Sequence, residues 1–167
     1  MPYNDSRMNR ALESALRFVN LTTSGLLAGS LGFGEAALVP GWQHELPREA
    51  KLRPFDALKT INYFNAIGPV ALASAVTLAV ASRSNGLKRR MLDAAQALGL
   101  AGVLAATMMV TVPINKKLES EAPRDYARED AESLSRNWRR THAVRTTLGV
   151  GAFLCAVASN LAYRPAK

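Results

Sequence analysis

The sequence predicts an all-α fold, an integral membrane four-helix bundle with antiparallel up-down topology. The first observation behind this prediction is the absence of Asp, Glu, Lys and Arg from four stretches, residues 18–34, 61–82, 94–115 and 146–163. Each stretch has about the length that a helix needs to cross a hydrocarbon layer of roughly 30 Å. The second is that the segments between them are densely charged, which keeps the mean hydropathy of the whole chain at −0.01.

A soluble four-helix bundle is the alternative fold. The helices of a soluble bundle carry a polar or charged face along their whole length, and none of the four stretches has a charged one. A chain of 167 residues has room for one domain. We therefore expect a single four-span transmembrane domain over 1–167, with spans at about 17–38, 59–82, 91–113 and 143–163.

The first two spans have recognisable ends and interiors. Span one stops before Pro40 and Gly41, a pair that ends helices. Inside it Gly25 and Gly29 form a GxxxG pattern, which lets another helix approach closely. Such small-residue faces fit packing within the chain, and they also fit a homo-oligomer. Span two contains Pro69, which predicts a kink that neighbouring helices accommodate.

The last two spans follow a short turn and a long loop. The basic turn around residues 83–90 makes spans two and three neighbours, and Pro113 ends span three. A long charged loop follows, and residues 126–140 read as a helix that runs into span four. Cys155, the single cysteine, lies in span four, so no disulfide forms within the chain.

Charge predicts the orientation. The net charge of +8 would suggest a nucleic-acid partner in a soluble protein, but membrane topology explains it without nucleic acid. Nine of the 21 Lys and Arg, against three of the 13 Asp and Glu, fall on the side of both termini. Because Lys and Arg favour the cytoplasmic side, we expect a plasma or inner membrane protein with both termini in the cytoplasm.

Uncommon polar residues gather at the span ends on the opposite side, and no comparable set is expected at the other ends. They are Glu35, Asn62, Asn65, Thr111, Asn115, Trp138, His142 and Arg145. Trp138, His142 and Arg145 are spaced i, i+4, i+7 and share one helix face. Ionisable groups within a span are costly unless they pair or face a polar cavity, so we expect one shared cavity.

Within this cavity the residues suggest a division of roles. His142 is the candidate general base, because imidazole ionises near neutral pH. Arg145 and Asn115 are candidates for holding an anion formed by proton removal. The candidate substrate-binding residues are Asn62, Asn65, Trp138, Glu35 and Thr111.

Structural roles remain open for the same residues. Arg145 could reach the lipid headgroups, Trp138 could lie in an interfacial aromatic belt, and Glu35 could pair with Arg145. His142 could be structural, and the asparagines could serve only as interhelical hydrogen-bond groups.

Cofactor chemistry is restricted by the residues present. Only His44 and His142 are available as histidines, too few for a membrane di-iron hydroxylase. We expect no cofactor. The alternative is a single copper or iron ion bound by Glu35, His44 and His142, a set of two histidines and one carboxylate.

Several segments together resemble the anthrone oxygenase-like family of small four-span membrane proteins. These segments are Gly25-Leu-Leu-Ala-Gly-Ser-Leu31, Pro40-Gly41, Ile61-Asn62-Tyr63-Phe64-Asn65, Val112-Pro113-Ile114-Asn115 and Trp138-Arg-Arg-Thr-His142-Ala-Val-Arg145-Thr146. The resemblance implies oxidation of a lipophilic, polyketide-like aromatic by O2 without an organic cofactor. It implies deprotonation of the substrate, with His142 as the base, followed by direct reaction with oxygen, while Asn115 and Arg145 hold the substrate. The alternative is a non-catalytic membrane subunit or assembly partner.

Overall fold

The computed structural model describes residues 5–38, 57–81, 86–120 and 128–162, and these residues form four helices and no strand. Helix α1 spans Asp5–Phe33 and continues into a π-helical turn at Gly34–Leu38. Helix α2 spans Ala57–Ala81. Helix α3 spans Leu87–Ala106, passes through a π-helical turn at Thr107–Thr111 and ends with the α-helical segment Val112–Ser120. Helix α4 spans Arg128–Leu161. The predicted all-α class is confirmed.

Three of these helices are long and apolar enough to cross a membrane. The qualifying segments are Asn62–Val80, Leu87–Lys116 and Arg136–Leu161. Helix α1 is not among them, because Asn20 and the run Thr22–Ser24 interrupt its apolar sequence. The crossing of the membrane by the first predicted span, 17–38, stays a prediction.

The outer surface of the helices is apolar, as a lipid environment requires. Leu98 is 74% exposed and Met109 is 77% exposed, although each lies in the middle of a helix. In water, an apolar surface of this extent on one small chain would promote aggregation. In a bilayer the same side chains contact lipid, and the three apolar helices are therefore consistent with an integral membrane protein.

Contacts between α1 and α4 occur in opposite order along the two helices. In the first half of α1, Arg17 lies 3.4 Å from the Ser159 hydroxyl, which is close to the end of α4. Near the end of α1, the Leu31 carbonyl accepts a hydrogen bond from Thr146 at 3.3 Å. The hydrogen bonds between α1 and α2 follow the same reversed order. Helices α2 and α4 therefore run in the opposite direction to α1.

Small side chains bring the helices together around the core. The core residues are Leu27, Leu31, Ala71, Ala75, Leu100, Val103 and Ala152. At Gly99 an added Cβ would lie 3.1 Å from the Ala152 Cβ and 3.3 Å from the Leu148 carbonyl oxygen, so α3 and α4 pack almost backbone to backbone there. Such close approach is how helices gain dispersion energy where lipid supplies no hydrophobic driving force.

A buried polar network occupies the end of the bundle near the termini. Asp93 accepts hydrogen bonds from Arg17 at 3.4 Å and from Ser159. Glu13 accepts from Arg17 at 3.1 Å and from Arg89 at 2.6 Å. This network joins α1, α3 and α4, and it contradicts our expectation that the ends opposite the cavity would hold no polar set.

The network continues one helical turn further into the bundle. Gln96 donates hydrogen bonds to the Asn20 side-chain oxygen at 2.9 Å and to the Ser24 hydroxyl at 3.0 Å. Asn20 in turn donates to Ser74 of α2 at 3.0 Å. Asn20 and Gln96 are fully buried. Since burying polar groups is costly unless they are hydrogen-bonded, these side chains specify how the helices pair.

Candidate active site

A cavity of about 1010 Å³, partly open to the surroundings, lies at the other end of the bundle and is lined by all four helices. Most of its wall is apolar, with Leu21 and Leu26 from α1, Phe64 from α2, and Leu104 and Met108 from α3. Its volume is at the upper end of the roughly 300 to 1,000 Å³ of ordinary small-molecule sites. A cavity of this composition suits a largely apolar ligand.

The structure brings most of the sequence-predicted site residues to the wall of this cavity. The lining residues among them are Asn65, Thr111, Asn115, Trp138, His142 and Arg145. Of the described residues, Glu35 and Asn62 were also expected there but do not line it, and Asn62 is exposed. The roles assigned to all these residues stay predictions.

Helix α4 presents Trp138, His142 and Arg145 on one face, as their spacing predicts. The indole and imidazole rings stack with centroids 5.0 Å apart and planes 7° apart. Trp138 also donates a hydrogen bond from Nε1 to the Asn115 side-chain oxygen at 3.1 Å. Trp138 is 7% exposed, so it is buried against the imidazole, and a position in an interfacial aromatic belt does not fit it.

Arg145 is held inside the bundle. Its Nη1 donates to the Thr111 hydroxyl at 3.3 Å, and its guanidinium carbon lies 5.8 Å from the centre of the Phe64 ring. The side chain is 6% exposed. An arginine that reached the headgroups would leave its charged end in the solvated interface, so the structure contradicts that alternative.

The π-helical turn of α3 contributes to this arrangement. A π-helical turn adds one residue to the repeat of an α-helix and thereby redirects the side chains that follow it. Thr107, Met108 and Thr111 of this turn all line the cavity. The Thr111 hydroxyl is 3.5 Å from the carbonyl oxygen of Ala106, five residues earlier. The turn therefore aims the hydroxyl that accepts the hydrogen bond from Arg145.

Glu35 lies behind His142, outside the cavity wall. Its Oε2 is 3.8 Å from the His142 Nε2, beyond direct hydrogen-bond distance. Gly34 makes this approach possible, because a Cβ at that position would lie 2.9 Å from the same nitrogen. The sequence allows Glu35 to pair with Arg145, but in the structure its carboxylate lies beside His142.

The expected site contains groups that the sequence reasoning did not name. Phe64 packs against the Arg145 guanidinium, and the Tyr63 hydroxyl lies 2.8 Å from the Ser30 hydroxyl. All three line the cavity. The sequence position of Tyr63 and Phe64 could have indicated them, since they lie between the predicted site residues Asn62 and Asn65.

The GxxxG pattern of α1 serves two purposes. At Gly25 an added Cβ would lie 3.1 Å from the Phe153 ring of α4, so this glycine packs within the chain. At Gly29 nothing lies within 4 Å, and this residue lines the cavity. A homo-oligomer through the small-residue faces stays a prediction.

The alternative metal site involves His44, which lies outside the described residues. Within the described ranges, no group of three or more His, Cys, Asp or Glu side chains is placed to hold a metal ion. Glu35 and His142 are the two members of the proposed set that lie close together.

Comparison with known proteins identifies the family. Residues 59–155 match the family described as anthrone oxygenase, and this segment is more than half of the 167-residue chain. It contains most of α2, all of α3, and the part of α4 that carries Trp138, His142 and Arg145. No curated protein and no solved structure that was compared with the chain matches it. The match over these three helices shows that the chain belongs to the anthrone oxygenase family.

Proposed function

We propose that the protein is a membrane oxygenase that oxidises a lipophilic, polyketide-like aromatic substrate with O2. The observation that supports this function best is the cavity, in which two buried basic side chains face an apolar space. Within the described part of the chain, His142 Nδ1 and Nε2 and Arg145 Nε have no hydrogen-bond partner. Buried polar atoms are normally paired, so these nitrogens are available to a ligand.

The proposed reaction converts an activated methylene group of the substrate to a carbonyl group. His142 removes a proton from this carbon, and the resulting carbanion reacts directly with O2. One oxygen atom of O2 becomes the carbonyl oxygen, and the other leaves as water with two protons, which balance the two protons that the methylene carbon loses. The atoms balance without an organic cofactor, and we propose that none is used.

The other cavity residues have supporting roles in this proposal. Arg145 stabilises the negative charge that develops on the substrate oxygen when the proton leaves, because a preorganised cation lowers the energy of such an anion. Asn115 holds Trp138 by a 3.1 Å hydrogen bond, and Trp138 fixes the plane of the imidazole. Asn65 and Thr111 contribute polar contacts at the wall.

We propose a plasma or inner membrane location with both termini in the cytoplasm. The excess of Lys and Arg on the side of the termini supports this orientation. The lipid bilayer would then be the source of the substrate, since an apolar aromatic partitions into it. The partners in this proposal are the bilayer and the small-molecule substrate, with no nucleic acid.

Substitution of the base tests the proposed function. The purified protein in nanodiscs, supplied with an anthrone, should consume O2 and form the anthraquinone. His142→Ala should lower turnover by roughly 10²- to 10⁴-fold, the usual contribution of a general base. His142→Gln keeps a hydrogen-bonding side chain but no base, so it should be nearly as inactive. Protein that is folded and oxidises the anthrone equally well with either substitution would exclude the proposal.

Metal analysis of the same preparations separates the two enzyme mechanisms. Cofactor-free chemistry predicts full activity after treatment with chelators and no stoichiometric metal. A different result would instead support a metal site formed by Glu35, His44 and His142. In that case one copper or iron ion is bound per protein molecule, and both His142→Ala and His44→Ala lose it. His44→Ala is the informative control, because only the metal mechanism requires it.

A further inference from the structure

We infer that Glu35 is the proton acceptor of His142, and that it carries the proton from the buried imidazole to water outside the cavity. This inference rests on the proposed function, because it assigns the residue that restores the base during the same reaction. It removes Glu35 from the set of expected substrate contacts and gives it a separate task.

The position of the two groups is the first support. The Glu35 Oε2 and the His142 Nε2 are 3.8 Å apart. Both atoms are buried, and neither has a hydrogen-bond partner within the described residues. Catalytic hydrogen bonds are often long in the absence of substrate and shorten when it binds. A rotation of either side chain, or one bridging water, therefore connects them.

The exposure of the two side chains gives the direction of transfer. The His142 side chain is 8% exposed and faces the cavity, whereas that of Glu35 is 41% exposed and does not line the cavity. The carboxylate thus has one buried oxygen near the imidazole and a part that reaches the surface. Glu35 lies close to residue 38, the end of the predicted first span, so the exposed part can exchange protons with water at the membrane surface while the buried oxygen lies near the imidazole.

The backbone around Glu35 is adapted to this contact. Glu35 lies in the π-helical turn Gly34–Leu38, immediately after the α-helical part of α1. Thr146 of α4 fixes the end of this helical part through the Leu31 carbonyl at 3.3 Å. Gly34 contributes no side chain that would separate the two groups, since its Cβ would meet the imidazole.

Among the described residues, Arg145 is the other charged group that acts on the imidazole, and it cannot do the same task. It lies one turn after His142 on α4, and guanidinium groups donate protons without accepting them. Aromatic and apolar side chains form most of the remaining surroundings, including the Trp138 ring on one face. Glu35 is therefore the described carboxylate that can take the proton.

The chemistry requires such an acceptor. The methylene carbon loses two protons in succession, and His142 must be neutral to accept each of them. After the first transfer the N–H bond at the imidazole breaks, the proton moves to a Glu35 oxygen and then to water, and the imidazole recovers its lone pair. The oxygen atom that leaves the substrate takes protons from water, so the overall reaction releases none.

Glu35→Gln and Glu35→Ala test the inference with an anthrone as the substrate. We expect kcat to fall by roughly 10-fold or more with little change of KM, because proton transfer is impaired and substrate contacts are kept. Formate at millimolar concentration should restore activity to Glu35→Ala and not to Glu35→Gln, whose side chain fills the space. The matched control is Ala36→Gln, at an exposed position of the same turn, which should retain the parent kcat.

The opposite results are equally clear. An unchanged kcat in Glu35→Gln would overturn the inference, as would a raised KM without a change of kcat, which would indicate a substrate contact. Activity of Glu35→Ala that formate does not restore would indicate a structural role and also overturn it. In each of these cases an inactive His142→Ala would leave the proposed function intact. If the unsubstituted protein did not oxidise the anthrone, the proposed function itself would fail, and this result would be distinct from those above.

A titration without substrate tests the same contact independently of activity. His44→Gln leaves His142 as the single histidine, so its ¹⁵N-labelled imidazole can be followed by NMR. A negative charge within about 4 to 6 Å of an imidazole favours its protonated form. Glu35→Gln should therefore change the imidazole titration curve, while Ala36→Gln should not. Identical curves in all three proteins would overturn the inference even if no substrate were known.

Discussion

At the scale of single residues, two neighbours define the position of the His142 ring. Trp138 covers one ring face with its plane inclined by 7°. On the side of α1, Gly34 leaves the space into which the imidazole nitrogen projects. Packing between an aromatic face and a glycine therefore restricts the orientation of the imidazole ring.

Gly34→Ala should therefore damage catalysis. The new Cβ would lie 2.9 Å from Nε2 and 3.2 Å from Cε1 of His142, so the ring must move. A displacement of even about 1 Å can reduce a rate 10²-fold, and we expect turnover to fall at least tenfold. The matched control is Gly32→Ala, where nothing lies within 4 Å. Equal activity in both variants would show that the imidazole position is not critical.

Arg145→Lys tests whether the shape of the cation matters. Arginine can donate to Thr111 through Nη1 while Nε points elsewhere, but an ammonium group has a single nitrogen and no planar fork. We expect kcat/KM for the anthrone to decrease roughly tenfold or more. Arg139→Lys, at an exposed position of the same helix, should have no effect. Parent-like kinetics in Arg145→Lys would mean that charge alone suffices.

At the scale of elements, one spacing rule accounts for both polar sites. Trp138, His142 and Arg145 are spaced i, i+4, i+7, and this spacing correctly predicted a common face. Arg89, Asp93 and Gln96 have the same spacing on α3, and all three are buried. The sequence analysis does not predict the second set, because it places the charges near this helix end in a solvated turn. In the structure the helix already starts at Leu87, and Arg89 is buried.

The π-helical turns had no comparable signal. Residues 107–111 form the apolar and threonine-containing sequence Thr-Met-Met-Val-Thr, which an α-helix accommodates equally well. Whether such a turn forms depends on contacts with other helices, here the hydrogen bond between Thr111 and Arg145. The local sequence pattern therefore predicts the helices and the shared face of Trp138, His142 and Arg145 on α4. It does not predict the π-helical turns at which α1 and α3 depart from regular α-helix.

The buried network should be important for stability. Asp93→Asn keeps the shape but removes the charge that Arg17 and Ser159 contact. Removing one partner of a buried ion pair costs about 3 to 5 kcal/mol. Because Arg17 also contacts Glu13, we expect a smaller loss, roughly 2 kcal/mol of unfolding free energy in detergent. Lys88→Gln, which removes an exposed charge from the same helix, should change stability little. Equal stability of Asp93→Asn and the parent would contradict a stabilising network.

At the scale of the whole molecule, the bundle separates two polar regions by an apolar core. Hydrogen bonds of the network join the helices at the end near the termini, whereas the cavity lies between the helices at the opposite end. Leu31 and Val103 of the core lie between them. This division lets one end fix the pairing of the helices while the other keeps an open space for a ligand.

The distribution of charge predicts the orientation of this bundle in the membrane. Basic residues outnumber acidic ones nine to three on the side of the termini and the 83–90 turn, while the opposite side is nearly balanced. Because short basic segments are retained in the cytoplasm, the cavity end should face away from it.

Reporter fusions at Lys167 and Asn85 should both report the cytoplasm, and a fusion within residues 41–56 should not. A non-cytoplasmic signal at Lys167 or Asn85 would refute this orientation, and opposite signals at the two would also refute four crossings, because both sites then could not lie on one side. A reporter at the N-terminus tests the first predicted span, since α1 is the described helix in which no segment qualifies as a membrane span, and it carries the buried Arg17 and Asn20.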